Sequence, residues 1–585
     1  MVILGISPPA HESAAGLVVD GTVVAAAAEE RFTRVKNQGG MPRQAIQAVL
    51  DLAGIGPRDV DAVALPWLAP RRELMLNARN WARNLPFAAT SGAPLRERGA
   101  HLANYTRNIV RDPNWASGRR LEREITQPLV EMGLAGRIHY VDHQAAHVAS
   151  AYFSSGFDRA LGVSLDGYGS GAAGSFYLCE GGRMRLLQSI PYPHSLGTFY
   201  RRVTQALGFK PNRHEGKIVG LAAFGDPEVL GPRVREGFDV SRDDYYRLKT
   251  PQDPYGARRL AGQYSREDMA AAYQTVLEEV VQRYVALYLA RHGLTHVVGA
   301  GGVFANVKMN QRVMEIPGVE KIFVYPAMSD GGVGTGAALW LAARSDGLMP
   351  RALDHVYLGP GFTEREIEAA VRESGLPFER AADPDAEVAR LVAEGKVVAR
   401  FDGRMEYGPR ALGNRSILYS ATDPTVNDWL NRRLNRTEFM PFAPMALAHR
   451  AGDLFHGVER ARHAAEFMTV TFDCTDRMKA IAPAAVHVDG TARPQLVTER
   501  SNPGVFRMLA EYERLTGSPT VINTSFNMHE EPIVCTPRDA VRAFMDGRLD
   551  VLAAGPFVVH LNGRPGERAG GERMRTAAVA AGAGA

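Results

Sequence analysis

The sequence predicts an α/β protein of two large units, the first built from two related halves and the second a separate α/β domain. Three observations carry this expectation. An arrangement of buried strand, polar loop and hairpin occurs twice in the first 191 residues. Strand–glycine turn–helix units follow it. The chain, at 585 residues, is longer than one hydrophobic core organises. Hydrophobic residues make up 45% and charged residues 23%, a globular balance that excludes a disordered chain.

In chain order, residues 2–7 (VILGIS) read as a buried strand and a polar turn with His11 and Ser13 follows. Gly16–Val19, an Asp20-Gly21 turn and Thr22–Ala26 then read as a hairpin. The plan returns with the strand Leu161–Asp166, a polar loop Gly167–Gly174, and a hairpin of Ser175–Cys179 and Met184–Ile190 around Gly181-Gly182. Ala-Ala-Gly stands at the entry to the second strand in both copies, at Ala14–Gly16 and Ala172–Gly174. Two such halves facing a cleft are the plan of the actin-like and sugar-kinase superfamily, whose loops face nucleotide phosphates. Two unrelated hairpins are the alternative. Between the copies, 69–131 reads as mostly helical. Residues 265–292 predict a strong amphipathic helix with Ser265 as N-cap, Asp268 three residues on and Gly293 as C-cap. A strand His296–Ala300, the Gly301-Gly302 turn and a helix from about Asn306 come next, a unit that brings backbone amides close to a phosphate. The boundaries read as 1–350 for the first domain, a Pro/Gly-rich linker at 351–361, a second domain at 362–562 and a disordered Gly/Ala/Arg-rich tail at 563–585.

Lys+Arg is 68 against Asp+Glu 64, a net charge of +4 that gives no nucleic-acid footprint over this length. Eight of those cations are Lys and sixty are Arg. Cys179, Cys474 and Cys535 lie far apart and form no CxxC, so a reducing cytoplasm is expected and a zinc ribbon is not. The N-terminus lacks a basic n-region, and no apolar run approaches the roughly 20 residues that span a bilayer.

Asp142-His143-Gln-Ala-Ala-His147 places two imidazoles at i and i+4, on one face if a helix follows Asp142. Surface or core histidines are the plainer reading of the spacing. Asp166, at the end of the second copy's first strand, and Asp330, in a Gly-rich strand-to-helix turn, supply carboxylates; each has a helix N-cap as its alternative. Two His and two Asp make a mixed N/O site suited to Fe(II), Mn(II) or Zn(II). His11 points toward the same cleft and suits a proton acceptor. Lys36, in a chain poor in Lys, is a second candidate, or a solvated charge. Lys217 lies in Gly216–Gly225, a Gly-punctuated run able to pack against a nucleotide. The second domain gathers Arg404, Glu406, Arg410, Arg415 and Ser416 around a Gly-Pro turn, then Arg432, Arg433, Arg436, Arg493 and Asn523-Thr-Ser525-Phe-Asn527 after a strand Pro519–Ile522. Arginine forks with short hydroxyl and amide side chains suit a small phosphorylated anion. A solvated basic face is the alternative.

With the His11 turn, EERFTR-x-K, DHQxAH, Asp166, GKIVGLAAFG, AGGVFAN, SDGGVGTGAA, EYGPRALGNRS, PFAP and NTSFN, the chain resembles the NodU/CmcH-type O-carbamoyltransferases over residues 2 to about 562. That family includes antibiotic-tailoring enzymes. The resemblance implies an actin-like first domain similar to tRNA threonylcarbamoyl-transferases and a YrdC-like second domain. It further implies that the second domain makes carbamoyl-adenylate from carbamoyl phosphate and ATP (with Mg), and that the first passes the carbamoyl group to a hydroxylated small-molecule acceptor as AMP leaves. By motif match His143, His147, Asp166 and Asp330 would bind a metal, typically iron. His11 would act as base, Lys36 would steady developing charge, and Lys217, Gly301, Gly302 and Asn306 would lie near the adenylate. Met440 and His529 depart from residues found in some relatives, which leaves carbamoyl phosphate to Arg404, Arg410, Arg415, Arg436 and Arg493, with Glu406, Ser416, Asn523, Ser525 and Asn527 beside them. A threonylcarbamoyl-type transferase acting on tRNA and a non-catalytic nucleotide-binding regulator are the competing readings.

Overall fold

Strand β1 (Val2–Ile6) is apolar throughout and central in its sheet, where both faces are covered. A computed structural model of the protein describes residues 1–7, 11–69, scattered positions between 71 and 103, then 122–134, 137–249, 256–434 and 439–561. β1 pairs antiparallel with β2 (Ala14–Val19), which pairs with β3 (Thr22–Ala28) across the expected Asp20-Gly21 turn. On its other side β4 (Ala62–Leu65) and β5 (Ile138–Tyr140) add in parallel, giving the order β3-β2-β1-β4-β5. Helix Arg43–Ala53 makes the crossover that parallel pairing requires.

The second half repeats this plan. β6 (Arg159–Gly169), β7 (Ala172–Glu180) and β8 (Arg183–Pro191) form the antiparallel meander. After a small ribbon of β9 (Phe238–Asp239) and β10 (Arg247–Leu248), the strands β11 (His296–Ala300) and β12 (Lys321–Val324) add in parallel to β6. The order β12-β11-β6-β7-β8 is that of the first sheet strand for strand. The sequence echo is therefore a duplication of topology, and the expectation of an α/β first unit with two related halves holds.

Each half closes with a helix, and the two are exchanged. His143–Ser155, after β5, packs on β6 and β11 of the second sheet; Asp330–Asp346, after β12, packs on β1 and β2 of the first. Small residues set how near they come. A Cβ on Gly5 would lie 2.0 Å from the Gly334 carbonyl oxygen, one on Gly334 2.5 Å from the Ser7 amide nitrogen, and one on Gly336 2.0 Å from the Ala146 carbonyl oxygen of the neighbouring helix. The GGVGTGAA run is a packing surface.

In the second unit an eight-stranded mixed sheet joins β13 (Phe378–Arg380), β14 (Val398–Phe401), β15 (Arg415–Tyr419), β16 (Ala443–Leu447), β19 (Gln495–Val497), β20 (Thr520–Ser525), β21 (Val551–Ala554) and β22 (Phe557–His560). Its order is β13-β22-β21-β14-β15-β20-β16-β19. A ribbon of β17 (Phe472–Asp473) and β18 (Thr491–Ala492) stands apart. The stretch between the units is packed: Val356 and Leu358 are buried, and the Leu358 carbonyl accepts the Ala26 amide at 3.0 Å. Arginines bind the units to one another through carbonyls. Arg31 donates to Gly408 at 2.9 Å, Arg34 to Ile533 and Pro532 at 2.7 Å each, and Arg404 to Val24 at 3.2 Å.

Several local expectations change. Gly167–Gly174 is a strand-borne hairpin rather than a polar loop, because Ser170 and Gly171 both adopt positive φ (51° and 74°) and turn the chain in two residues. Asp166 lies inside β6, at a register break between Leu165 and Gly169, and Asp330 opens a helix well after β12 ends. β20 extends to Ser525, so Asn523 and Ser525 are strand residues. A 3-10 turn, Gly302–Ala305, precedes the helix Val307–Met314. Helix Arg266–His292 has the expected caps, but it buries Met269 to Gln274 consecutively and so is more than amphipathic. Arg436, most of 69–131 and the tail 563–585 lie outside the described residues.

Replacing Gly336 by Ala puts a methyl group onto the Ala146 carbonyl and forces the two helices apart. The expected result is a loss of about 1–3 kcal/mol, read as a lower thermal midpoint, with the helices' site residues displaced as well.

Candidate active site

The Asp142 carboxylate caps the helix His143–Ser155 by accepting the Ala145 amide at 2.9 Å. That start fixes the phase of the helix, so His143 and His147 stack one turn apart, both buried. Asp166, at the break in β6, and Asp330, at the start of the exchanged helix, face them. His143 Nε2 lies 3.3 Å from Asp166 Oδ2 and 3.5 Å from Asp330 Oδ1; His147 Nε2 lies 4.0 and 3.5 Å from the same oxygens. One donor atom from each of the four residues falls within 4.8 Å of the other three. The i, i+4 pair is thus brought together with both carboxylates, and neither Asp is an N-cap: Asp330 follows the N-cap Ser329.

This donor set fits a divalent cation. The His143 Nδ1 faces the Pro66 carbonyl at 3.2 Å, which assigns the hydrogen to Nδ1 and leaves Nε2 as a lone-pair donor. The two Nε2 atoms are 3.1 Å apart, a repulsive distance for two lone pairs unless a proton or cation lies between them. Burial would lower the His143 pKa, yet hydrogen bonds to Asp166 and Asp330 raise it well above the ordinary imidazole value. Burial would raise the Asp330 pKa, yet His143 and His147 draw it well below the carboxylate range. A buried Nε2/carboxylate cluster with these demands suits Fe(II), Mn(II) or Zn(II).

Surrounding residues hold the ligands. The Ser170 hydroxyl accepts the His143 amide at 3.1 Å, and the Trp67 ring lies 5.2 Å from the His143 ring. Gly302 N–H donates to Asp166 Oδ1 at 3.2 Å, and a Cβ on Gly301 would meet the Leu165 carbonyl at 2.3 Å. The Gly301-Gly302 turn therefore abuts the ligand Asp166, with one of its amides taken. Sequence reasoning missed Glu12, Ser170 and Gly169. Glu12, at φ 54°, accepts from Asn37 at 3.0 Å and from the Ser329 hydroxyl, bracing the turn that carries His11. Gly169 leaves room for the His143 ring, where a Cβ would stand 2.0 Å from Cδ2. The DGYGSG run was the only signal for it.

His11 sits at the rim, its Nε2 3.8 Å from Asp330 Oδ2 and its side chain 47% exposed. Burial lowers its pKa, but Asp330 and Glu12 outweigh this and raise it. Lys36 is one residue from Asn37, next to the same turn. Lys217 is buried in the helix Glu215–Leu221, where Gly220 packs against the backbone of Phe439 and Met440 in the second unit. Asn306 caps its helix; its Nδ2 donates to Gln274 at 2.8 Å and its Oδ1 accepts from Gln274 at 3.1 Å.

In the second unit the expected anion cluster divides. Arg415 is fully buried, gives its Nη atoms to the carbonyls of Asp402, Asn414, Gly403 and Pro360, and stacks 3.8 Å from the Phe401 centroid. Burial lowers its pKa to about 10. Arg404 binds the Gly359 and Leu358 carbonyls as well as Val24. Both are fasteners, a correction to their expected role as a phosphate fork. Ser416 Oγ accepts the Gly413 amide, Asn523 Nδ2 donates to Ala411 and Gln495, and Asn527 Nδ2 donates to Met528 and Glu531. Arg410, Arg493 and Ser525 are half-buried at the same end of the sheet. Arg410 adjoins the Ala411 carbonyl held by Asn523, and Arg493 precedes Gln495, the other partner of Asn523.

Residues 2–339 match the family described as Carbamoyltransferase N-terminus, and residues 389–560 match Carbamoyltransferase C-terminus. The chain belongs to the carbamoyltransferase family. This carbamoyltransferase is 33% identical to the uncharacterized protein sll1178 of Synechocystis sp., over 96% of this chain and 97% of that one. It is 31% identical to nodulation protein NolNO of Sinorhizobium fredii, over 94% and 79% of the two chains, and 28% identical to nodulation protein U of Rhizobium tropici, over 92% and 93%. Similar solved structures include component A of Acidaminococcus fermentans (R)-2-hydroxyglutaryl-CoA dehydratase, at 16% identity and TM-score 0.34 over 59% of this chain and 98% of that one. HypF of T. kodakarensis is 14% identical with TM-score 0.32, over 59% and 48%.

His143→Ala or Asp330→Ala is expected to lose bound metal and carbamoyl transfer together, read by elemental analysis beside product formation. Full transfer by metal-free protein would refute the assignment. Gly169→Ala, whose methyl would meet the His143 ring at Cδ2 and Nε2, is expected to displace that imidazole and lower metal content, with the fold retained by circular dichroism.

Proposed function

We propose that the enzyme is an ATP-dependent O-carbamoyltransferase whose second, YrdC-like unit prepares carbamoyl-adenylate and whose first unit delivers the carbamoyl group to a small-molecule hydroxyl. The observation that supports this best is the juxtaposition of a buried four-ligand centre with a half-exposed imidazole, His11, 3.8 Å from one ligand.

In the preparatory step carbamoyl phosphate and water yield carbamate and inorganic phosphate. A carbamate oxygen then bonds to the α-phosphorus of ATP and pyrophosphate leaves. Arg410, Arg493 and Ser525 hold the phosphate of carbamoyl phosphate in this reading, with Arg436 as a further candidate. In the transfer step the acceptor oxygen bonds to the carbamoyl carbon, the bond from that carbon to the AMP oxygen breaks, and the hydroxyl proton passes to His11 Nε2. Asp330 and Glu12 stabilise the imidazolium that results. Lys36 steadies charge on the departing phosphate, and Lys217 and the Gly301–Asn306 turn border the adenylate. His143, His147, Asp166 and Asp330 would hold the metal, iron in our reading, which supplies Lewis acidity beside the phosphate and carbonyl. Packing between the units keeps water from the adenylate.

The near-neutral charge favours a small acceptor over tRNA. Among the described residues no helix is long and apolar enough to cross a membrane, and all three cysteines are buried free thiols, which supports a reducing cytoplasm as the place of action.

Purified enzyme given carbamoyl phosphate, Mg-ATP and a panel of hydroxylated acceptors is expected to release phosphate, pyrophosphate and AMP and to add a carbamoyl group to one acceptor, by mass spectrometry. His11→Ala is expected to reduce transfer about 10²–10⁴-fold while pyrophosphate release persists. Transfer without ATP consumption would sink this mechanism.

A further inference from the structure

Asp330 stands after the connection Tyr325–Ser329, which follows β12. The first unit holds the middle of that connection, where the Gly301 amide donates to the Met328 carbonyl at 2.7 Å. The second unit holds it on both sides of that point. Gly408, at φ 117°, lies so near Pro326 that a Cβ would stand 3.2 Å from the Pro326 carbonyl oxygen. Tyr407, 4% exposed, reaches just past Asp330. Its hydroxyl donates to the Gly331 carbonyl at 2.5 Å and pairs with Thr335 Oγ1 at 3.1 Å. Gly331 and Thr335 belong to the first two turns of the helix that Asp330 opens. Tyr407 and Gly408 are themselves fixed: the Tyr407 amide donates to the Val356 carbonyl at 2.8 Å, and the Gly408 carbonyl accepts Arg31 at 2.9 Å. The Tyr407 ring packs in one apolar cluster with Tyr325, Ala327 and Val333, which flank Asp330 in the chain.

We propose that Tyr407 positions Asp330, so that the second unit completes the metal centre of the first. The inference rests on the reading that His143, His147, Asp166 and Asp330 hold a divalent metal. Asp330 Oδ1 faces both imidazoles, at 3.5 Å from each Nε2. A donor set holds its metal well only when each member is placed to within about 0.5 Å. A buried tyrosine hydroxyl needs a partner, and here the partner is the peptide next to a ligand. A contact that merely joined the units could fall anywhere on the interface; this one falls on the helix start whose direction sets the carboxylate. Tyr407 acts through Asp330 and touches no substrate on this account.

The test uses the full-length protein stripped of metal and titrated with Zn(II) in competition with a chromophoric chelator. Tyr407→Phe removes the hydroxyl and keeps the ring in its cluster. The expected result is a Zn(II) affinity about tenfold below wild type, the low end for losing a group that orients a ligand. The circular dichroism spectrum of the metal-free variant is expected to match wild type. Arg34→Ala is the comparison, because it removes the bonds to Pro532 and Ile533 between the units without touching the connection to Asp330. It is expected to leave Zn(II) affinity unchanged. An unaltered affinity in Tyr407→Phe overturns the proposal. So does an equal fall in both variants, which would make Tyr407 a general support of the joint. A wild-type protein that takes up no Zn(II), or takes it up equally well after Asp330→Ala, would instead overturn the metal reading itself, and this inference with it.

Discussion

The site depends on how closely two helices can approach the sheets they cover. Asp330 reaches the histidines because Gly334 lets its helix lie against β1, with Gly5 answering from the strand. His143 and His147 reach the aspartates because Gly162, on β6, admits Val148 where a Cβ would lie 2.4 Å away. In each half a glycine on the first strand of the sheet, though not at the same register position, receives the helix that closes the other half. The His/Asp cluster that could hold a metal forms where the exchanged helices begin, and its four residues come two from each half.

This origin explains why opposite charge accumulates in a dry place. Helix starts favour carboxylates, and Asp330 enjoys that field as well as two imidazoles. Asp330 has His11 Nε2 3.8 Å away as a further partner, and Asp166 accepts the Gly302 amide at 3.2 Å. His143 has its remaining nitrogen held by Pro66 and its amide by Ser170, so it can neither flip nor withdraw. Only His11 stands partly in solvent, and it is correspondingly the group free to meet an acceptor.

Much of this was legible in the sequence, for identifiable reasons. The echo of strand, Ala-Ala-Gly and hairpin reported a real duplication because register and burial punish drift in such strands. Ser265 announced its helix through capping chemistry that needs no tertiary information. What failed was whatever depended on partners distant in the chain. Arg404 and Arg415 read like any other arginine of the motif, but their guanidinium groups are consumed by carbonyls that local pattern does not reveal. The exchange of hydrogen bonds between Asn306 and Gln274, on another helix, is equally invisible in the local sequence. Gly167–Gly174 looked like a loop because glycines and hydroxyls mark turns, yet a two-residue turn needed only Ser170 and Gly171. Glu406 stood out by its motif, while the amides of Leu412, Asn414 and Arg415 that its carboxylate accepts could be seen only with the loop folded around it.

The arginines that tie the two units together address main-chain carbonyls. Arg31 and Arg34 bind Gly408, Pro532 and Ile533 through atoms that every residue type possesses. Such a bond constrains the path of the opposite loop and leaves its side chains unconstrained. Over evolutionary time loop positions that offer only a carbonyl can exchange side chains without loosening the joint, whereas Glu530, whose carboxylate meets Lys210, Arg213 and His214, is held by its side chain as well. A lineage could retune the former while inheriting the same assembly, provided those few arginines on the first unit stay in place.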